Sequence, residues 1–222
     1  MEQIKNSISG GQTGRLNVEL PEPSLRRLPW YLAYVDILRQ TGAETVSSTQ
    51  ISRALNVDPS QIAKDLSLLN IKGKTRIGYD IADLSDALSE FLGFRKRHKA
   101  FVMGCGSLGA ALMQDKGLSN YGLEIVAGFD IRPELAGKSI SGVPVYLIGE
   151  MRRIQQEQDA SIGILTVPAL KAQEAADFMV AAGLKAIWNF TPYRIRVREG
   201  IVKANTSIYA HLALIYNRLS NI

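Results

Sequence analysis

The sequence predicts an α/β chain with two parts: a small helical domain containing a tight helix–turn–helix, then a doubly wound parallel sheet. Three observations predict it. Two short helical patterns, Gln50–Leu55 and Ser60 to about Leu69, are separated only by a turn. From His98 onward short apolar runs alternate with helical patterns, the mark of a parallel sheet with crossover helices. The first of those runs, Ala100–Met103, leads directly into a glycine-rich turn.

Composition sets the outer limits. The chain has 222 residues, 46% hydrophobic and 21% charged, which is globular and argues against wholesale disorder. Cys105 is the only cysteine, so no intrachain disulfide forms and a reducing compartment is expected. Residues 1–20 carry no apolar leader, and the longest apolar stretch, 101–113, is too short and too glycine-broken to span a bilayer. A cytoplasmic protein with no membrane partner is therefore expected. The net charge of +5 suggests an anionic partner. It is spread evenly: residues 1–97 hold 13 basic and 11 acidic side chains, and residues 98–222 hold 13 and 10. Any contact with nucleic acid must rest on local clusters.

Taken in order, residues 1–20 read as a flexible arm. A helix follows from about Pro23, with Leu25, Leu28, Leu32, Val35 and Leu38 in register, and Pro29 predicts a start or a kink there. Ser47-Ser48-Thr49 offers an N-cap to the next helix. Asp58 caps the one after, with Pro59 at its first position, where a missing N–H costs nothing. A basic hairpin-like segment, Ile71–Tyr79, comes next. An amphipathic pattern, Asp83–Leu92, reads as a linker helix, so the boundaries are 21–80 for the first domain, 81–97 for the linker and 98–204 for the second domain. In the last segment, 205–222, Ile208, Tyr209, Leu212, Leu214, Ile215, Tyr216 and Leu219 make the helix apolar over more surface than its own sheet can cover.

Gly104-Cys105-Gly106-Ser107-Leu108-Gly109 is G-x-G-x-x-G between a strand and a helix. The first glycine permits the tight turn, the second lets a pyrophosphate approach the backbone, and the third lets helix and strand pack closely. The helix N-terminus then offers free N–H groups to phosphates. A second strand ends in Gly128-Phe129-Asp130, with Asp130 standing 21 residues past Gly109. An acid there accepts from the adenosine ribose hydroxyls and repels a 2′-phosphate, so the expected cofactor is NAD(H) on a Rossmann domain. Ile131 and Arg132 follow it, and Arg132 is the residue that speaks for NADP(H) instead. Thr166-Val167-Pro168 and Asn189-Phe190-Thr191 follow later strands on the same sheet edge, where ligands of open α/β sheets bind, and are expected on the nicotinamide side.

The helix–turn–helix places Ser60, Gln61 and Lys64 where a recognition helix meets base edges. Ser48 and Thr49 open the helix before it. Lys72, Lys74 and Arg76 form a wing-like segment against phosphates. A small protein-interaction module with a solvated basic loop would show the same pattern.

These blocks together resemble the Rex family of bacterial redox-sensing repressors. The resemblance runs from about Pro23 to Leu219. It is carried by Lys64-Asp65-Leu66-Ser67, Gly78-Tyr79, the glycine turn with Gly128-Phe129-Asp130, Leu165-Thr166-Val167-Pro168, Ala181-Ala182-Gly183-Leu184-Lys185 and Asn189-Phe190-Thr191-Pro192. It implies a winged helix joined to a Rossmann domain, and a homodimer exchanging C-terminal helices. It implies binding to an inverted-repeat operator in double-stranded DNA when NADH is scarce, and release on NADH binding. An aromatic that the family places near the partner's nicotinamide falls at Ile208 or Tyr209, with Tyr209 preferred. Two departures bear on function. Ala63 stands where the family's recognition helix has arginine, and Leu68, Leu69 and Asn70 replace its last three residues. Of an Arg–Tyr–Asp set that the family uses to link domains, Arg27 matches, while Lys116 and Ser207 stand at the other two positions.

An NAD-dependent oxidoreductase needs a general acid or base beside the nicotinamide. His98 starts the first strand, at the wrong end, and His211 lies on the last helix, so no enzyme is expected. An NAD-bound corepressor that has lost specific DNA binding is the other alternative, on the strength of Ala63.

Overall fold

The computed structural model describes residues 21–69, 71 and 73–220. The expected arm at 1–20 and the expected DNA contact Lys72 lie outside them. The chain divides into two compact units, with the boundary between Leu92 and Gly93.

In the first unit, α1 (Glu22–Gln40) runs unbroken through Pro29. The expected start at Pro29 is not found, because Leu28, Tyr31, Leu32 and Val35 form one buried stripe across it and packing outweighs the single lost hydrogen bond. Strand β1 (Thr45–Val46) leads into α2 (Ser48–Leu55), where Ser47 and Gln50 form a reciprocal capping box. Asn56 in the left-handed region ends α2. Asp58 accepts from the backbone N–H of Ser60 and Gln61 and so starts α3 (Pro59–Ser67). Strand β2 (Tyr79–Asp80) pairs antiparallel with β1, and Lys74 bridges Gly78 across the wing turn. Helix α4 (Ile81–Phe91) buries Ile81, Leu84 and Leu88, and Ser85 donates to Asp36 of α1 at 2.6 Å. Residues 81–91 therefore belong to the first unit and are not the expected linker. Their outward acids, Asp83, Asp86 and Glu90, gave the segment the look of a solvated connection.

The second unit is a seven-stranded sheet ordered β5-β6-β4-β3-β7-β8-β9. Its strands are β3 (His98–Met103), β4 (Leu123–Asp130), β5 (Ser139–Ile140), β6 (Val143–Leu147), β7 (Ile162–Leu165), β8 (Ala186–Asn189) and β9 (Val202–Asn205). All neighbours are parallel except β5 with β6. The helices are α5 (Ser107–Gln114), α6 (Met151–Gln158), α7 (Ala172–Ala181) and α8 (Ile208–Leu219). Phe101 and Met103 pack with Met151, Ile154 and Met179 on one face, while Ala100 and Val102 pack with Met113 and Ile164 on the other. Burial on both faces explains why β3 reads as a continuous apolar run. On α8 no residue is buried within this chain, and Tyr216 is 62% exposed.

Candidate functional site

The carboxyl ends of β3, β4, β7 and β8 lie side by side, with Met103 paired to both Phe129 and Leu165, and Leu165 to Asn189. The glycine turn sits on this edge, and its three glycines differ as their positions require. Gly104 has φ +99, and a Cβ there would lie 2.9 Å from the Thr166 carbonyl oxygen. A Cβ on Gly109 would collide with the Gly104 carbonyl oxygen. A Cβ on Gly106 would meet nothing within 4 Å. The turn is thus closed against protein at its ends and open to a ligand at its middle. Helix α5 starts there with no side-chain cap, so its first N–H groups are available to phosphate.

Thr166 holds the turn from the neighbouring strand. Its Oγ1 donates to the Gly104 carbonyl at 2.7 Å, with the Met103 carbonyl at 3.1 Å. Asp130 closes the other side. Its Oδ2 accepts from the Cys105 N–H at 2.9 Å, and its two oxygens take Arg132 Nε at 2.9 Å and Nη2 at 3.0 Å. Burial pushes the Asp130 carboxyl up, but these bonds outweigh it and hold it below the usual range. Asp130 is therefore ionised and aimed at the turn, while the Arg132 side chain that bonds it is half-exposed. Burial and the neighbouring Asp130 charge push the Cys105 thiol up to about 11, so it stays protonated and unreactive at neutral pH.

Asn189 is fully buried and committed to its own loop: Nδ2 donates to the Tyr193 carbonyl and to Asn205 Oδ1, and Oδ1 accepts from the Thr191 N–H. Phe190 stacks on Trp188. These residues organise the loop at the end of β8, next to Thr166, Val167 and Pro168. Ile131 is 73% exposed beside Asp130. Tyr209 stands on α8, exposed and apart from these bonds.

The first unit carries a cationic surface. A cleft of about 310 Å³ between the first turn of α2 and the wing is lined by Ser48, Lys74, Arg76, Gly78 and Tyr79. Arg76 has φ +67, an uncommon backbone state for a side chain of this size. Thr49 is exposed one residue further along α2. On α3 the polar side chains are mostly engaged. Ser60 donates to Asp58, Gln61 to Asp65 and Ser67 to the Lys64 carbonyl. Lys64 is exposed. Sequence reasoning missed the partners of Asp65, which is fully buried and bound by Arg27 and Tyr31 of α1. The available signal was a carboxylate beside Ile62 and Leu66 on the apolar side of α3.

Two family models match: "CoA binding domain" over residues 95–193 and "Putative DNA-binding protein N-terminus" over residues 19–67. A redox-sensing transcriptional repressor Rex of Porphyromonas gingivalis is 53% identical, over 95% of this chain and 97% of its own. One of Bacteroides thetaiotaomicron is 56% identical over 91% and 92%, and one of Treponema denticola 41% over 88% and 94%. The chain belongs to the Rex family of redox-sensing transcriptional repressors. Among solved structures, the Rex-family repressor RSP in complex with β-NAD⁺ and operator DNA matches with TM-score 0.87 at 31% identity, covering 92% of this chain and 94% of that one. RSP in complex with β-NADH matches with TM-score 0.83 and the same identity, covering 92% and 96%. Rex proteins are regulators rather than enzymes, so the oxidoreductase reading falls away. No helix among the described residues is long and apolar enough to cross a membrane.

Proposed function

We propose that this Rex-family chain represses transcription in the cytoplasm as a homodimer, binding an inverted-repeat operator through its first unit and releasing it when NADH occupies the glycine turn. One observation carries the reading: the turn that is open only at Gly106 faces an ionised, buried Asp130. That is the donor and acceptor set for a pyrophosphate and a ribose diol. The solved relative RSP, in one complex with β-NAD⁺ and operator DNA and in another with β-NADH, supports the same pair of ligands.

Each part of the chain then has a physical task. Gly106 and the first turn of α5 receive the pyrophosphate, and Asp130 accepts from the ribose hydroxyls once Arg132 swings off it. Thr166, Val167, Pro168 and the loop of Asn189, Phe190 and Thr191 border the nicotinamide end. Lys64 reaches the major groove, while Ser48, Thr49, Lys74 and Arg76 hold phosphates. The exposed apolar α8 is covered by the second subunit, bringing Tyr209 to the partner's cofactor. NADH shifts the equilibrium only through tighter binding to the released conformation than to the DNA-bound one.

The test is fluorescence anisotropy of a labelled operator duplex, titrated with NADH and separately with NAD⁺. Release by NADH at concentrations where NAD⁺ does nothing is expected. Tight DNA binding insensitive to both nucleotides overturns the gating. NADH binding without any specific DNA binding turns the reading to a corepressor.

A further inference from the structure

The buried carboxylate of Asp65 has no part in the contacts proposed above, although it sits on the helix that carries Lys64. From the four bonds that converge on it, we infer that Asp65 is the positioning residue for DNA reading, fixing the roll of α3 about its own axis, and that Gln61 is part of this clamp rather than a base-reading side chain. The inference rests on the reading of α3 as the recognition helix.

The geometry is as follows. Arg27 of α1 grips both oxygens, Nε to Oδ2 at 2.7 Å and Nη2 to Oδ1 at 2.9 Å. Tyr31, one turn further along α1, donates to Oδ2 at 2.8 Å. Gln61, one turn earlier on α3, donates through Nε2 to Oδ1 at 2.8 Å. Ser24 accepts from Arg27 Nη2 at 3.2 Å and steadies the guanidinium. The side chain of Asp65 is 0% exposed and that of Arg27 21%.

Apolar packing alone does not fix the roll. Ile62 and Leu66 are both fully buried and set how deeply α3 sits, but apolar burial is non-directional, whereas hydrogen bonds to a carboxylate are directional. A helix with its side chains has a radius of about 5–6 Å, so a roll of roughly 20° moves a side-chain tip by about 2 Å. Base-edge hydrogen bonds do not survive that, since functional groups need placement within about 0.5 Å. Phosphate contacts from long, flexible lysine and arginine stems do survive it. A forked bond from one helix, a second donor from the same helix and a third from α3 itself hold the carboxylate from separate directions. The pair thus serves specificity more than stability, the use for which buried ion pairs are best attested. Gln61 commits one of its two amide N–H groups to the clamp, which holds that side chain against Asp65, while Lys64 stays exposed.

The full-length protein decides this with four variants and two duplexes, one selected from random sequence by the wild-type protein and one unrelated. For Asp65→Asn, the preference for the selected duplex should fall about tenfold, the worth of one good base contact. Affinity for the unrelated duplex and for NADH should stay within about twofold. Tyr31→Phe removes one donor and keeps the ring, so it should fold as wild type and lose about two- to threefold in preference. Gln61→Ala should lower preference evenly along the selected sequence. Asp65→Asn and Tyr31→Phe proteins that melt earlier but keep the wild-type preference, or lose both duplexes equally, overturn the positioning role. Loss of preference at a single base pair in Gln61→Ala overturns the assignment of Gln61 to the clamp. Lys64→Ala is the separate control: unchanged affinity for both duplexes would remove α3 from the interface and with it the reading beneath this inference.

Discussion

Asp65 and Asp130 are both buried aspartates gripped by the fork of an arginine, yet they do opposite things. Arg27 lies 38 residues from Asp65 and is itself mostly covered, and Tyr31 adds a buried hydroxyl. Arg132 lies two residues from Asp130, and its side chain is 47% exposed. The first pair has nowhere to go, because parting it would strand a carboxylate inside the protein. In the proposed function the second opens, water taking the guanidinium and a ribose the carboxylate. The same two functional groups make a fixed joint in one unit and an exchangeable one in the other, and the difference is the exposure of the arginine.

The sharpest test of that contrast is deletion. Asp65→Ala leaves Arg27 without its carboxylate in a half-closed site, with only the Ser24 hydroxyl as acceptor, and removes the bonds from Tyr31 and Gln61 as well. It should cost about 3 kcal/mol of stability, the low end for a broken buried pair, measured by urea unfolding. Asp130→Ala should instead leave the midpoint nearly unchanged while weakening NADH about ten- to a hundredfold, as loss of hydrogen bonds to a charged acceptor does, with DNA binding intact. Equal losses of stability in the two variants would break the comparison.

Acid sharpens it. Burial pushes the Asp65 carboxyl up, but the bonds from Arg27, Tyr31 and Gln61 prevail and keep it below its usual value. A depressed folded value means stability that is fully present above the unfolded carboxylate pKa of about 3.9 and lost as pH falls through the folded one. The acid limb of unfolding stability should flatten in Asp65→Asn. Burial and the bond to the Asp65 carboxylate push Tyr31 up to about 12 against the opposing pull of Arg27, so its hydroxyl remains a donor throughout this range.

A smaller effect is expected at Lys64. Lys64→Ala should reduce the slope of log affinity against log salt by at most about 0.9, since a cation in the groove also displaces counterions. An unchanged slope would take Lys64 away from the duplex. Least of all should change at Cys105, where alkylation of the native protein at pH 8 should be slow and become fast only in denaturant, as mass spectrometry would show.

The comparison also shows what could be read in advance. The glycine turn and Asp130 were legible because their chemistry is local: Gly104, Gly106 and Gly109 fall within six residues, and the acid ends the very next strand. The alternation of β3, β4, β7 and β8 with helices was legible because buried strands are uniformly apolar. The edge strands were not. Every residue of β9 is exposed, and β5 has only two residues, so neither prints an apolar pattern. Asp65 looked like one acid in a basic segment, since nothing local to it indicates Arg27 38 residues earlier. Helix α4 looked like a linker for a related reason: its tie to the first unit runs through Ser85 and Asp36, 49 residues apart. Position alone names Ser60 and Gln61 for base contact; that each also bonds a carboxylate, Asp58 and Asp65, shows only in the fold.

The seat of Cys105 has one more consequence. The chain's only thiol lies inside the nucleotide turn, 6% exposed, and is held protonated. Peroxides and disulfides attack thiolates that they can reach, and this sulfur offers neither charge nor access. This chain thus keeps its one thiol out of the oxidation ladder. Oxidative stress and cofactor balance therefore arrive as separate signals, and a burst of hydrogen peroxide should pass unregistered by this thiol unless it also changes the nucleotide pool.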